Sequence, residues 1–381
     1  MRPMQWDVFC QVVDNFGDIG VCWRLCSDLA GRGHSVRLWV DDASALSWMA
    51  PSQPAMPLID VRPWPEAEAL DVGDPGKELV PGDVVIEAFG CNPPDAFVAR
   101  MQRATPPVWI NLEYLSAEDW VERNHGLRSP VFSGPGAGLS KWFFYPGFTD
   151  KTGGLLREPG LLQARDAFVN EPVAQADWLA HQGLAPLSSN ERLWSIFCYD
   201  HAPVGTLLDA LVSDGLPTRL VLTPGPATRL ARQWQTQRAR NSPHLSLHYL
   251  PHLSQPDFDR LLWACDLNFV RGEDSAVRAL WAGRPHVWHI YPQQDGVHAG
   301  KLDAFMDQWM AGWAPDLADR VRQLWRTWNA LPGGDAAGPG ALLQALAKDQ
   351  RWGTSSQFSC GRLAEIPDLT TLLCRFVSST R

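Results

Sequence analysis

Short apolar runs alternate with helix-period stripes along most of the chain. Trp6 to Val13 is apolar and rich in β-formers. After the polar loop Asp14-Asn15-Phe16-Gly17-Asp18-Ile19-Gly20, the residues Val21, Cys22, Leu25, Cys26 and Leu29 fall on one face of a helix that Gly31 and Gly33 end. His34 to Val40 reads as the next strand. Strand, glycine loop, helix, strand is the unit that founds a Rossmann-like sheet. Further strands are predicted at Asp83 to Phe89, Val108 to Leu112 and Lys141 to Tyr145, with helices over Pro93 to Met101 and Ala174 to Gln182.

The second half repeats the alternation. Leu193 to Tyr199, Arg219 to Leu222, Leu245 to Leu250 and Leu267 to Val270 read as strands, separated by helices over Val204 to Val212, Ala227 to Arg238 and Asp257 to Ala264. After Arg271-Gly272, the positions Ala276, Val277, Leu280 and Trp281 predict a helix that stops at Gly283, and Pro285 to His289 a strand. Gly296 to Met310 and Ala318 to Asn329 continue as helices. Gly183 to Asn190 has linker composition, which puts the domain change near residue 184. Following Pro367, the stripe Leu369, Leu372, Leu373, Phe376 and Val377 must bury itself, and packing back on the first domain does this. The expected architecture is therefore α/β, with residues 1–184 and a returning 361–381 forming one Rossmann-like domain and residues 185–360 a second.

Composition narrows the partners. A net charge of −9 and a pI near 5.6 over 381 residues argue against nucleic acid or an anionic membrane and are compatible with a basic partner protein. No basic start is followed by a leader-like apolar core, and no apolar run approaches the roughly 20 residues of a membrane helix, so a cytoplasmic protein is expected. Eight cysteines without a Cys-x-x-Cys read as reduced core residues, and most of the nineteen tryptophans as packing.

Two stretches carry chemistry. The turn at Arg271-Gly272 opens a helix, where unpaired backbone N–H groups and a partial positive charge favour a phosphate, and Arg271 adds a full charge. Glu273 and Asp274 leave two readings there: ordinary helix caps, or a site in which the amides of Asp274 and Ser275 take phosphates while Glu273 accepts from ribose hydroxyls. The first loop lacks Gly-x-Gly-x-x-Gly and offers two carboxylates, Asp14 and Asp18, which repel a pyrophosphate and argue against a dinucleotide. An Asx turn and an N-cap are the bland roles for that pair. His286 and His289 fall on opposite faces of their strand, so a shared metal is not expected. Two Rossmann-like domains, acids on one and an anion-binding turn on the other, fit sugar transfer from a nucleotide donor.

Asp14-Asn15-Phe16-Gly17-Asp18-Ile19-Gly20 with Cys22-Trp23-Arg24-Leu25, Arg271-Gly272-Glu273-Asp274-Ser275, and His289-Ile290-Tyr291-Pro292-Gln293 together resemble the elongation factor P arginine rhamnosyltransferase family. The resemblance implies a GT-B glycosyltransferase, two Rossmann-like domains facing across a cleft, that moves rhamnose from dTDP-β-L-rhamnose to an arginine of elongation factor P with inversion and without a metal or other cofactor. It implies that Asp14, Asp18 and Glu273 are the essential acids. It puts Arg271, Asp274, Ser275, Tyr291 and Tyr199 around the diphosphate and ribose, and Gln255, Phe258 and Phe197 around the thymine, with His252 beside the base. Apart from the resemblance, the residues leave open a GT-B nucleotide-sugar enzyme with another acceptor, an epimerase, or a nucleotide-sugar-binding protein without catalysis.

Overall fold

The strand signals become two separate, mostly parallel sheets. The computed structural model describes residues 2–13, 16–50, 58–69, 79–238, 242–293 and 296–381. Among these, the first sheet holds β1 (Gln5–Cys10), β2 (Ser35–Val40), β3 (Ile59–Pro63), β4 (Val84–Ala88), β5 (Val108–Leu112), β6 (Arg128–Pro130) and β7 (Ser140–Phe144) in the order β3-β2-β1-β4-β5-β7-β6. Only the β6–β7 pairing is antiparallel. The second holds β8 (Arg192–Ile196), β9 (Thr218–Leu222), β10 (Leu245–Tyr249), β11 (Leu267–Arg271) and β12 (His286–His289) in the order β10-β9-β8-β11-β12, all parallel. The first order turns back at its β7–β6 edge, and both orders reverse about a central pair, between β1 and β4 and between β8 and β11. In open α/β sheets the crevice beyond the strand ends at that reversal is where ligands bind.

Parallel strands covered on both faces read as apolar runs rather than alternations. Thus β4 and β5 are buried along their whole length. The two faces of the first sheet gather separate clusters, one around Val8, Leu25, Leu38 and Ile86, the other around Phe9, Trp39, Phe97 and Trp109. Tryptophan is mainly a packing residue, since Trp6, Trp39, Trp194, Trp281, Trp309, Trp325 and Trp328 are among the largest fully buried side chains. All eight cysteines are buried and unbridged.

The chain divides between Pro159 and Gly160, not near residue 184. Helices Leu161–Asn170 and Pro172–His181 belong to the second unit because Phe168 packs on Trp178 and Trp263, with centroids 6.1 and 5.8 Å apart, and Trp178 Nε1 donates to Asp257 at 3.0 Å. The segment that reads as a linker is a loop inside that unit. Loop composition marks an exposed connection but does not say on which body the helices before it pack. The second unit runs from Gly160 to Leu363, and the rest of the chain returns to the first. There helix Leu369–Thr380 sets Leu369, Leu373, Cys374 and Val377 into the first core, with Leu372 and Phe376 packed against it. Asp368 caps this helix, accepting from the Thr371 amide at 2.8 Å, and pairs with Arg32 at 2.7 Å. Pattern reading passes over β3 and helices Gly340–Leu346 and Gln350–Ala364. Among the described residues no helix is long and apolar enough to cross a membrane.

Candidate functional site

In the second unit β11 delivers Arg271 to the sheet edge, and the chain turns at Gly272 with φ 66° and ψ 178°. That conformation is essentially reserved for glycine. The Gly272 carbonyl is held by Trp288 Nε1 at 2.9 Å, and helix Glu273–Ala282 begins at the next residue. Gly272 is thus the N-cap, a residue with no side chain of its own to cap the helix. Glu273 and Asp274 lie inside its first turn, so the N-cap role left open for them is not the one they play. The N–H groups of a first turn have no carbonyl partner within their own helix, and this first turn follows directly on Arg271 and Gly272.

The Arg271 guanidinium is aligned by two rings. Its Cζ lies 4.5 Å from the centroid of Phe197 and 4.8 Å from that of Tyr199, both on the loop after β8. Phe197 meets Phe258 edge-on at 5.9 Å, and Tyr199 meets Tyr291 edge-on at 5.5 Å. Five of the residues expected around the donor therefore converge: Phe197, Tyr199, Phe258, Arg271 and Tyr291. Tyr199 is buried, whereas Tyr291 is 54% exposed. Gln255, also buried, stands one turn before Phe258 on helix Gln255–Ala264, and His252 is exposed just ahead of that helix. Ser275 is buried, and Glu273 and Asp274 half-buried, on the helix that Gly272 opens. A buried two-pronged ion pair between Asp259 and Arg278, at 2.8 and 2.6 Å, ties the helix of Gln255 and Phe258 to that of Glu273–Ser275.

Imidazoles stand beside this cluster. His289 at the end of β12 is fully buried, accepts from the Tyr199 amide at 3.2 Å and lies 2.8 Å from His201, Nε2 to Nε2. Burial, His201 and Arg271 push its pKa down to about 3. His286 points away from it, between Trp309 and Trp325, and burial lowers its pKa to about 4. The two histidines do not share a site.

In the first unit Asp18 is buried in the first turn of helix Gly17–Gly31. It is not the N-cap, which is Phe16. Its Oδ2 accepts from the Val13 amide at 2.9 Å, and the Tyr114 hydroxyl approaches Oδ1 at 3.5 Å. Asp14 and Asn15 lie outside the described residues. Tyr114 stacks on Phe89, with centroids 4.5 Å apart and planes at 18°. Phe89 follows β4 with φ 59°, a left-handed backbone that costs a bulky residue about 1 kcal/mol or more. Its amide is bonded to Leu112 O at 2.7 Å. Phe89, Tyr114 and His201 stand beside these candidate residues, and sequence reasoning did not name them as such. Tyr114 and His201 had only their place just past a predicted strand end as a signal, and Phe89 only its place as the last residue of one.

The model of the family described as elongation factor P (EF-P) rhamnosyltransferase EarP matches residues 6–378. A protein-arginine rhamnosyltransferase of Pseudomonas putida is 44% identical, covering 97% of this chain and 98% of that protein. A solved structure that describes EarP-mediated arginine glycosylation of translation elongation factor EF-P is similar with a TM-score of 0.69 and 32% identity, covering 99% of this chain and 100% of that one. The glycosyltransferase SnogD of Streptomyces nogalater shares the fold, with a TM-score of 0.50, 12% identity and 99% of both chains covered.

Proposed function

The chain belongs to the elongation factor P rhamnosyltransferase family, and from that premise we propose that it transfers rhamnose from dTDP-β-L-rhamnose to an arginine of elongation factor P, inverting the anomeric carbon. It is a glycosyltransferase with the GT-B fold of its structural neighbours. The donor, the acceptor and the residue roles are our reading of the site, as is a cytoplasmic setting, where translation factors act.

The donor belongs to the second unit. Thymine sits against Phe197 and Phe258 with Gln255 reading its edge and His252 nearby, Glu273 accepts from the ribose, and the diphosphate lies on the amides of Asp274 and Ser275 with Tyr199 and Tyr291 alongside. As the bond from sugar to phosphate breaks, negative charge grows on the leaving diphosphate. Arg271 and the helix terminus neutralise it without a metal. The acceptor belongs to the first unit. A guanidinium, with a pKa above about 12, is protonated and a poor nucleophile, and one ordinary carboxylate cannot strip it beforehand. Two carboxylates can grip and polarise it; Asp14 then holds the group while Asp18 accepts the proton as nitrogen bonds to carbon.

The observation that carries this reading is the placement of Arg271: held by two rings, at a glycine-only turn, beside a helix start whose N-cap is glycine. Intact-mass analysis of elongation factor P after incubation with this protein and dTDP-rhamnose tests it. A gain of one deoxyhexose, mapped to arginine, is expected. An unchanged mass, or sugar on another residue type, would sink the proposal.

A further inference from the structure

Beside the Arg271 turn, the His289–His201 pair has a proton arrangement that its contacts determine. Nδ1 of His289 accepts the Tyr199 N–H at 3.2 Å, so the single ring proton of neutral His289 is on Nε2. That nitrogen is 2.8 Å from Nε2 of His201, and the rings cross at 75°. Two N–H groups cannot face each other at this distance. His289 therefore donates, His201 accepts, and the His201 proton is on Nδ1.

His201 is exposed and follows β8 on the loop that also carries Phe197 and Tyr199. Its ring lies parallel to Tyr199, with centroids 6.4 Å apart, and Tyr199 in turn lies against Arg271. Arg271, Tyr199 and His201 thus form a continuous row at the sheet edge where the helix opens. Loops after the first strand of such a unit stand over the reversal point, where a bound nucleotide's phosphates lie.

We propose that His201 is a further ligand of the donor's diphosphate, contributing a neutral Nδ1–H whose position is set by His289 at the other nitrogen. The assignment rests on the donor reading above. It divides the labour in the row: Arg271 supplies charge, and His201 supplies direction. The surroundings keep His201 a neutral donor at physiological pH. Partial desolvation lowers its pKa, Asp200 opposes this while itself paired with Arg229, and His298 lowers it further. Among the described residues His289, at hydrogen-bond distance, and Tyr199, stacked on the ring, also face it.

The test is calorimetric titration of the wild type, His201→Ala and His201→Asn with dTDP and with thymidine. Losing a hydrogen bond to a charged phosphate should weaken dTDP binding by His201→Ala about tenfold, with thymidine binding unchanged. His201→Asn, whose amide N–H stands near the place of Nδ1, should recover most of the loss. Equal dTDP affinity in His201→Ala, or an equal loss for dTDP and thymidine, overturns the inference while leaving the donor reading intact. A wild type that binds no dTDP overturns both.

Discussion

The two sheets have the same strand order about their reversal points and opposite chemistry there. Counting each from its own first strand, β1 corresponds to β8, β4 to β11 and β5 to β12. At the ends of β1, β4 and β5 stand a buried carboxylate, Asp18, and an aromatic stack, Phe89 and Tyr114. At the ends of β8, β11 and β12 stand a cation, imidazoles and a helix start opened by glycine. Under the proposed function one scaffold would serve a cationic acceptor in one unit and an anionic leaving group in the other, because the loops, not the strands, carry charge.

If the acceptor role belongs to the first unit alone, Asp18→Asn should cut turnover by roughly a thousandfold. The amide oxygen can still accept from Val13, so that hydrogen bond is kept, and dTDP affinity should not change. A parallel loss of dTDP binding would break the division. Arg271→Ala is the reciprocal change and should weaken dTDP binding by about 10- to 100-fold in calorimetry. Arg271→Lys should rescue little, since an ammonium lacks the flat face that Phe197 and Tyr199 hold; full rescue would reduce Arg271 to a point charge. Gly272→Ala forces a side chain into a glycine-only conformation and should remove about 1–3 kcal/mol from urea-unfolding stability, with weaker dTDP binding alongside.

The smallest expected effect is a pH dependence. His286 and His289 stay neutral in the fold, with pKa values near 4 and 3, while in the unfolded chain they protonate near 6.5. Between those limits the unfolded state binds more protons, so stability present above pH 6.5 should fall as pH drops and level off near 3 to 4. His286→Phe, set between Trp309 and Trp325, should flatten part of the decline in urea midpoints between pH 7 and 5. An undiminished slope would show that other groups cause it.

Much of the scaffold was legible because buried parallel strands and one-sided helices leave strong patterns; β5 runs over the very residues its apolar run marks, Val108–Leu112. Arg271-Gly272 was legible too, since a glycine between strand and helix has few other uses. What stayed hidden depends on meetings that no local pattern encodes. Tyr114 reaches Asp18 across 96 residues, and His201 reaches His289 across 88. Nothing in the sequence marks Phe89 as left-handed, because the position ordinarily suits glycine or asparagine. The unit boundary was misplaced for a related reason: Phe168 finds its pocket against Trp263, far along the chain.

The helix Leu369–Thr380 inverts the order of synthesis and completion. The first unit's strands emerge from the ribosome before any of Gly160–Leu363, yet the groove that takes Leu369, Leu373 and Val377 is filled only after that whole span has been translated. The half that begins first is finished last. Until then its nascent core holds an open apolar slot, and the acid-bearing helix Gly17–Gly31, whose C-cap Arg32 later grips Asp368, lacks one of its walls.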